Sequence, residues 1–260
     1  MPLRALPALS DNYIWLLSDD GGRALIVDPG EAGPVCAAIA HDQLSPVAVL
    51  LTHHHRDHIG GTDQLLQQWP GLTVIAPEDD RISVPARRVV EGESVRVADW
   101  NVQVMQVPGH TLSHVAYLVQ APDQAPILFC GDTLFSLGCG RLFEGTPQQM
   151  QDSLARLAAL PDDCQVCCGH EYTVANAVFA AQVEPGNTVL QAHTRQIHVL
   201  REQQRPTLPT SLELERACNP FLRWDSPEVQ NAVTARLGHP PTDPVETFAE
   251  LRRWKDGFTA

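Results

Sequence analysis

Four apolar runs in the first 170 residues each stop abruptly at a histidine or an aspartate. Residues 47–52 stop at His53, 102–107 with Pro108-Gly109 at His110, 126–130 with Gly131 at Asp132, and 165–168 with Gly169 at His170. Short apolar runs bounded by Gly and Pro read as strands. Residues 12–18 and 23–27, joined by Asp19-Asp20-Gly21-Gly22, read as a hairpin that Asp28-Pro29-Gly30 closes. Further strands are expected at 73–76, 94–97 and 114–119, and helices at 34–40 and 62–69. Thr146, Pro147 and Gln149 form an N-cap, first-turn proline and capping-box acceptor. The helix behind them carries Met150, Leu154 and Leu157 as an apolar stripe.

After residue 171 strand signals vanish. Helices are expected at 173–182 and 188–204, parted by Glu184-Pro185-Gly186-Asn187, then a linker at 206–209. Ser226-Pro227 and Asp243-Pro244 with Glu246 start two more, the last stopping near Gly257. The pattern predicts a strand-rich α/β domain over 1–170 and a helical domain over 171–260.

Composition narrows the class. The 260 residues are 43% hydrophobic and 19% charged, with a formal net charge of −13. That charge disfavours nucleic acid and anionic membrane as partners. An anionic substrate would need a local basic pocket. Seven cysteines without a dense framework point to free thiols in a reducing compartment. The proline-interrupted N-terminal stretch lacks a signal-peptide core, and no apolar run reaches membrane-spanning length. A cytoplasmic monomer acting on a small molecule is expected.

The densest chemistry is Thr52-His53-His54-His55-Arg56-Asp57-His58. In an extended segment side chains alternate, so His53 and His55 point one way together. If the chain then turns into a helix, Asp57 and His58 face a second metal. With the three other strand ends, the candidate ligands are His53, His55, Asp57, His58, His110, Asp132 and His170. All are nitrogen or oxygen donors, suited to zinc, iron or manganese. Seven exceed one tetrahedral site and fit two divalent ions sharing a carboxylate, about 3.5–4 Å apart, with a bridging hydroxide. Two carboxylates and that hydroxide leave the site at about +1, able to polarise a carbonyl. His54 is expected to face away and His114 to support the site or simply to be a bonded histidine.

The THHHRDH segment with His110, Asp132 and His170 resembles the metallo-β-lactamase superfamily over residues 10–170. The resemblance implies an αββα sandwich. It implies one metal on His53, His55 and His110, another on Asp57, His58 and His170, Asp132 bridging, and Asp28 in a supporting role. Further motifs include Gly138-Cys139-Gly140-Arg141-Leu142-Phe143-Glu144-Gly145, Gly169-His170-Glu171-Tyr172-Thr173, Asn219-Pro220-Phe221-Leu222-Arg223 and Arg252-Arg253-Trp254-Lys255-Asp256. Together they are very similar to the glyoxalase II (hydroxyacylglutathione hydrolase) family. That likeness implies hydrolysis of S-(2-hydroxyacyl)glutathione, typically S-D-lactoylglutathione, to glutathione and D-lactate, the second step of methylglyoxal detoxification. Asp57 and Asp132 would act in catalysis through the metal-bound hydroxide, the two ions most simply zinc.

A thioester suits such a site on chemical grounds. Its thiolate leaving group has a conjugate acid of pKa about 8.5, and the set contains no extra general acid. Arg141, Arg252 and Lys255 can meet glutathione's carboxylates, the last two sharing a helix face at i, i+3. By resemblance, Tyr172 and Asn176 join that pocket. Phe143 stands where some relatives place a tyrosine hydroxyl against glutathione, which removes that hydrogen bond. A glutathione persulfide dioxygenase using one iron is the nearest alternative. A β-lactamase and an RNA phosphodiesterase are disfavoured by the absent signal peptide and absent basic face.

Overall fold

The computed structural model describes residues 2–121 and 124–259. Packing divides the chain into two units that interleave along the sequence. One comprises Met1–Gln106, Ser113–Gly131 and Cys167–His170; the other Val107–Leu112, Asp132–Val166 and Glu171–Ala260.

The first unit begins with β1 (Leu3–Ala8), β2 (Asn12–Ser18) and β3 (Arg23–Val27), then α1 (Gly33–Asp42), β4 (Ser45–Leu50), α2 (Arg56–Ile59), α3 (Thr62–Gln68), β5 (Thr73–Pro77) and β6 (Arg87–Val89). These strands form one sheet in the order β1 to β6. The first three are antiparallel; from β3 onward the pairing is parallel, with α1 and then α2–α3 as crossovers. Strands covered on both faces read as continuous apolar runs, and every residue of β2 is buried. Ile14 and Leu16 pack in one core with Val35 and Ile39 of α1 and Leu65 of α3. On the other face Trp15 meets the second sheet.

That sheet is an antiparallel meander of β7 (Ser94–Val97), β8 (Trp100–Gln106), β9 (Val115–Gln120) and β10 (Ile127–Gly131). The Trp15 and Phe129 rings are 6.4 Å apart, and Trp15 Nε1 donates to the Cys168 carbonyl at 2.9 Å. Tyr117 of β9, fully buried, donates its hydroxyl to the Leu51 carbonyl at 2.8 Å. Burial raises the Tyr117 pKa far above its ordinary value, and the Asp28 carboxylate adds to the rise. A neutral hydroxyl therefore ties β9 to the residue that follows β4. β1 escaped the sequence pattern because Pro2 and Pro7 interrupt it; as an edge strand it tolerates a proline.

The second unit holds β11 (Leu134–Phe135), β12 (Gly138–Cys139), α4 (Pro147–Ala158), the start of β13 (Gln165–Cys168), α5 (Thr173–Val183), α6 (Thr188–Glu202), β14 (Thr210–Ser211), α7 (Leu212–Cys218), α8 (Pro227–Leu237) and α9 (Pro244–Asp256). The expected capping box of α4 is present: Gln149 N donates to Thr146 Oγ1 at 3.2 Å and Thr146 N to Gln149 Oε1 at 2.9 Å. Met150, Leu154 and Leu157 are buried. The expectation of no strand after residue 171 is corrected by β14, where Ser211 and Thr210 pair with Gln165 and Val166. Two residues are too few to leave a periodicity.

Helix α7 fixes the β11–β12 hairpin. Glu215 accepts the Leu137 N–H at 2.8 Å, and Asn219 Nδ2 donates to Phe135 O and Gly138 O at 3.1 and 2.9 Å. Burial raises the Glu215 pKa even though these donors favour its anion.

Tyr117→Phe removes the donor of a buried bond and leaves the Leu51 carbonyl short of a partner. The expected loss is about 1–2 kcal/mol, read as a lower urea midpoint at unchanged m-value.

Candidate metal centre

β4 delivers the histidine segment. Thr52 and His53 are fully buried, His58 nearly so. His55 is still extended (φ −62°, ψ 142°) and starts α2. The His53 and His55 rings are 4.7 Å apart, and those of His54 and His55 equally so. The expected turn into helix holds: Asp57 and His58 lie in its first turn. His54 turns to another partner, its Nδ1 3.4 Å from Asp79 Oδ2. Burial alone would raise Asp79, but hydrogen bonds from Arg81 and Ser113 outweigh it and hold the carboxyl well below its usual range. His114 is buried and stacks on His53 at 4.6 Å.

Asp28 pins this segment. Its Oδ1 accepts Thr52 N at 2.8 Å, its Oδ2 accepts Thr52 Oγ1 at 2.6 Å, and His58 Nδ1 lies 3.0 Å from Oδ2. Gly131, at the end of β10, has φ +47°, and a Cβ there would lie 2.4 Å from Thr52 Oγ1. The strand can turn that close to Thr52 only without a side chain.

Asp57, His58 and His170 offer donor atoms within 4.8 Å of one another, as do Asp28, His53 and His58. In the first group Asp57 Oδ2 is 3.5 Å from His58 Nε2 and 3.4 Å from His170 Nε2. Four ligands placed tetrahedrally at bond lengths of about 2.1 Å stand about 3.4 Å apart. The spacing and the donor types therefore fit a single first-row ion. His170 Nδ1 lies 2.7 Å from Asp11 Oδ1, and Asn12 Nδ2 donates to Asp57 Oδ2 at 3.0 Å.

The second unit carries the other two expected ligands and all six expected substrate residues. His110 Nε2 is 3.4 Å from Asp132 Oδ2, the same ligand-to-ligand spacing. His110 Nδ1 faces the Arg141 carbonyl at 3.0 Å, and Phe143 N donates back to His110 O at 3.3 Å. Gly109 has φ +152°, and a Cβ there would meet Met150 at 2.8 Å.

Hairpin β11–β12, α5 and α9 bring several of the expected substrate residues into contact with one another's elements. Asn176 is buried and donates to Ser136 O at 3.0 Å. Tyr172, 38% exposed, sets its ring edge-on to Phe135. Lys255 Nζ donates to Ala175 O at 3.0 Å and lies 5.3 Å from the Phe179 ring. Burial, then the Arg252 and Arg141 cations, lower the Lys255 pKa to about 8, with the Cys139 thiol opposing. Arg141 is exposed, its Nε 3.9 Å from Asp256 Oδ1, and Phe143 is 63% exposed. Arg252 is buried, with Nη1 on Cys139 O and both Nε and Nη2 on Asp256 Oδ1. Its guanidinium is committed to the hairpin and its own helix.

Asp11, Asn12, Asp79 and Asp256 were not among the expected site residues. Asp11 lies between β1 and β2 and Asn12 opens β2, where a polar residue at a strand end carries no local sign of its partner. Only the tertiary pairing reveals their partners.

A family model described as the metallo-beta-lactamase superfamily matches residues 9–170, and one described as the hydroxyacylglutathione hydrolase C-terminus matches 171–258. A hydroxyacylglutathione hydrolase of Xanthomonas euvesicatoria pv. vesicatoria (strain 85-10) is 55% identical over 99% of both chains. Among solved structures, the BLEG-1 B3 metallo-beta-lactamase matches with a TM-score of 0.65 at 23% identity, covering 85% of this chain and all of that one. TTHA1623 in a di-iron-bound form matches at 0.60 and 27% identity, with the same coverage. The chain belongs to the hydroxyacylglutathione hydrolase family, within the metallo-beta-lactamase superfamily.

Proposed function

We propose that the chain hydrolyses S-(2-hydroxyacyl)glutathione, with S-D-lactoylglutathione as its typical substrate, releasing glutathione and a 2-hydroxy acid. One observation carries the reading: His110 exchanges two contacts with the Arg141–Phe143 segment, through Arg141 O and Phe143 N. A candidate metal ligand and two candidate substrate residues are thereby built as one piece. In this reading His53, His55 and His110 would hold one ion, Asp57, His58 and His170 the other, with Asp132 available as a further carboxylate donor. When bound, two divalent ions, zinc first among them, would polarise the thioester carbonyl and make a water acidic enough to attack at neutral pH.

The chain's own residues do the rest. Arg141 and Lys255 take substrate carboxylates by charge-assisted hydrogen bonds. Arg252 keeps the hairpin in place from its buried position, and Asn176 does so from α5. Phe143 and Tyr172 offer exposed rings to the substrate's apolar atoms. A thiolate of conjugate-acid pKa about 8.5 departs without a dedicated proton donor. Residues 1–170 supply most of the metal donors, 171–260 most of the substrate contacts, in a cytoplasmic monomer. Among the described residues, no helix is long and apolar enough to cross a membrane. The seven-donor set favours this hydrolase over a one-iron persulfide dioxygenase.

The deciding assay is direct thioester hydrolysis on protein of known metal content. Turnover of S-D-lactoylglutathione that rises to two ions per chain is expected. Oxygen uptake with glutathione persulfide and no thioester cleavage would replace the reading with the dioxygenase.

Asp132→Ala should lose turnover while keeping its far-ultraviolet circular dichroism; near-normal kcat would remove the bridging role. Lys255→Ala should raise KM roughly tenfold or more and leave kcat nearly unchanged. A fall in kcat alone would exclude Lys255 as an anchor. Lys255 binds an anion only as its cation, and that cation is lost as pH rises through about 8. KM should therefore climb between pH 7 and 9, and Lys255→Arg, charged throughout, should flatten that climb.

A further inference from the structure

We infer that Asp11 is a positioning residue that sets the affinity of the Asp57–His58–His170 site by holding the His170 ring; the inference rests on that trio being a metal site. His170 Nδ1 lies 2.7 Å from Asp11 Oδ1, while its Nε2 lies 3.4 Å from Asp57 Oδ2. The two ring nitrogens thus face two carboxylates with different roles. With the proton on Nδ1 and donated to Asp11, the Nε2 lone pair is presented on the Asp57 side. A carboxylate on the far nitrogen fixes a ligating histidine's tautomer and raises its basicity.

Asp11 follows β1, and its side chain is 43% exposed. Backbone and side-chain contacts hold the turn to the candidate ligands. Tyr13 N donates to Gly169 O at 2.8 Å, Asn12 and His170 form an antiparallel bridge, and Asn12 Nδ2 donates to Asp57 Oδ2 at 3.0 Å and to Asp57 O at 3.3 Å. The residue after Asp11 is therefore bonded to both neighbouring ligands, and the carboxylate's place is set by the backbone. His58 repeats the arrangement, with Asp28 Oδ2 at 3.0 Å from its Nδ1. His110, by contrast, has the neutral Arg141 carbonyl at its Nδ1. Both histidines of the one trio are carboxylate-backed, and Asp11 is the member that lies at the surface and can be changed without opening the core.

The test titrates metal-free protein with zinc against a competing chromophoric chelator, for wild type, Asp11→Ala, Asp11→Asn and His170→Ala. Thermal melts of the metal-free proteins check that Asp11 variants fold as wild type. Asp11→Ala should weaken one of two zinc ions by roughly tenfold to a hundredfold and leave the other unchanged. Asp11→Asn, whose amide oxygen still accepts the Nδ1 proton, should recover part of that loss. At saturating zinc the KM for thioester should match wild type in both. If His170→Ala loses an ion while both Asp11 variants bind two zinc ions as wild type does, the positioning role is wrong and the site stands. If Asp11→Asn is no better than Asp11→Ala, charge alone is at work and the orienting bond is refuted. If His170→Ala itself keeps two ions at wild-type affinity, the metal-site reading fails and takes this inference with it.

Discussion

The buried Asp28 carboxylate is the constraint on which the first unit's chemistry rests. What fixes the approach to His53 is that Asp28, just past β3, binds Thr52 N, Thr52 Oγ1 and His58 Nδ1 at once. A carboxylate buried to this extent is costly unless its lone pairs are met. The segment that meets them is the one leading into His53. The same bonds fix where β4 stops, how the Thr52 hydroxyl points and which nitrogen of His58 is left toward Asp57. The chain accepts local strain to do it: Asp28 has φ +51°, a conformation uncommon for any residue with a side chain.

The supports of the ligands differ in kind, and the difference is chemical. Neutral acceptors orient a ring; anionic ones orient it and also make it a stronger donor to a cation. His53 has the Thr52 hydroxyl 3.0 Å from its Nδ1 and a stacked His114, while His58 and His170 have carboxylates. Within the first unit, the group that contains the candidate carboxylate ligand Asp57 is also the group with anionic support behind both imidazoles. Such backing lets charge be shared outward from a bound cation.

Much of this is legible in the sequence. The strand ends, the capping box of α4 and the extended-then-helical run from His53 to His58 follow from periodicity and residue type, because each is decided within a few residues of chain. What was not legible depends on partners far away. β1 hid behind its prolines; β14 and α7 were too short to show a period. Asp11 carries no such signal, because nothing local distinguishes an aspartate at a strand end from one that meets His170 across 159 positions. Arg252 shows the opposite case. Its spacing from Lys255 placed both on one helix face, and α9 bears that out. Spacing could not say that the guanidinium would be buried against Cys139 O while the ammonium beside it stays partly open.

The net charge of −13 shows why a global quantity says little about a local one. At physiological ionic strength the screening length is about 8 Å, so an incoming carboxylate feels mainly the side chains within that reach. In the second unit those include Arg141, Arg252 and Lys255, with Asp256 against both arginines. Asp256 meets the two arginines, and Lys255, its pKa lowered to about 8 first by burial and then by those arginines, is still mostly protonated near pH 7. Asp256 thus does for the arginines what solvent does at an open surface. It lets two guanidiniums sit near a half-buried ammonium, and it leaves that ammonium the group whose charge is most easily altered by what binds beside it.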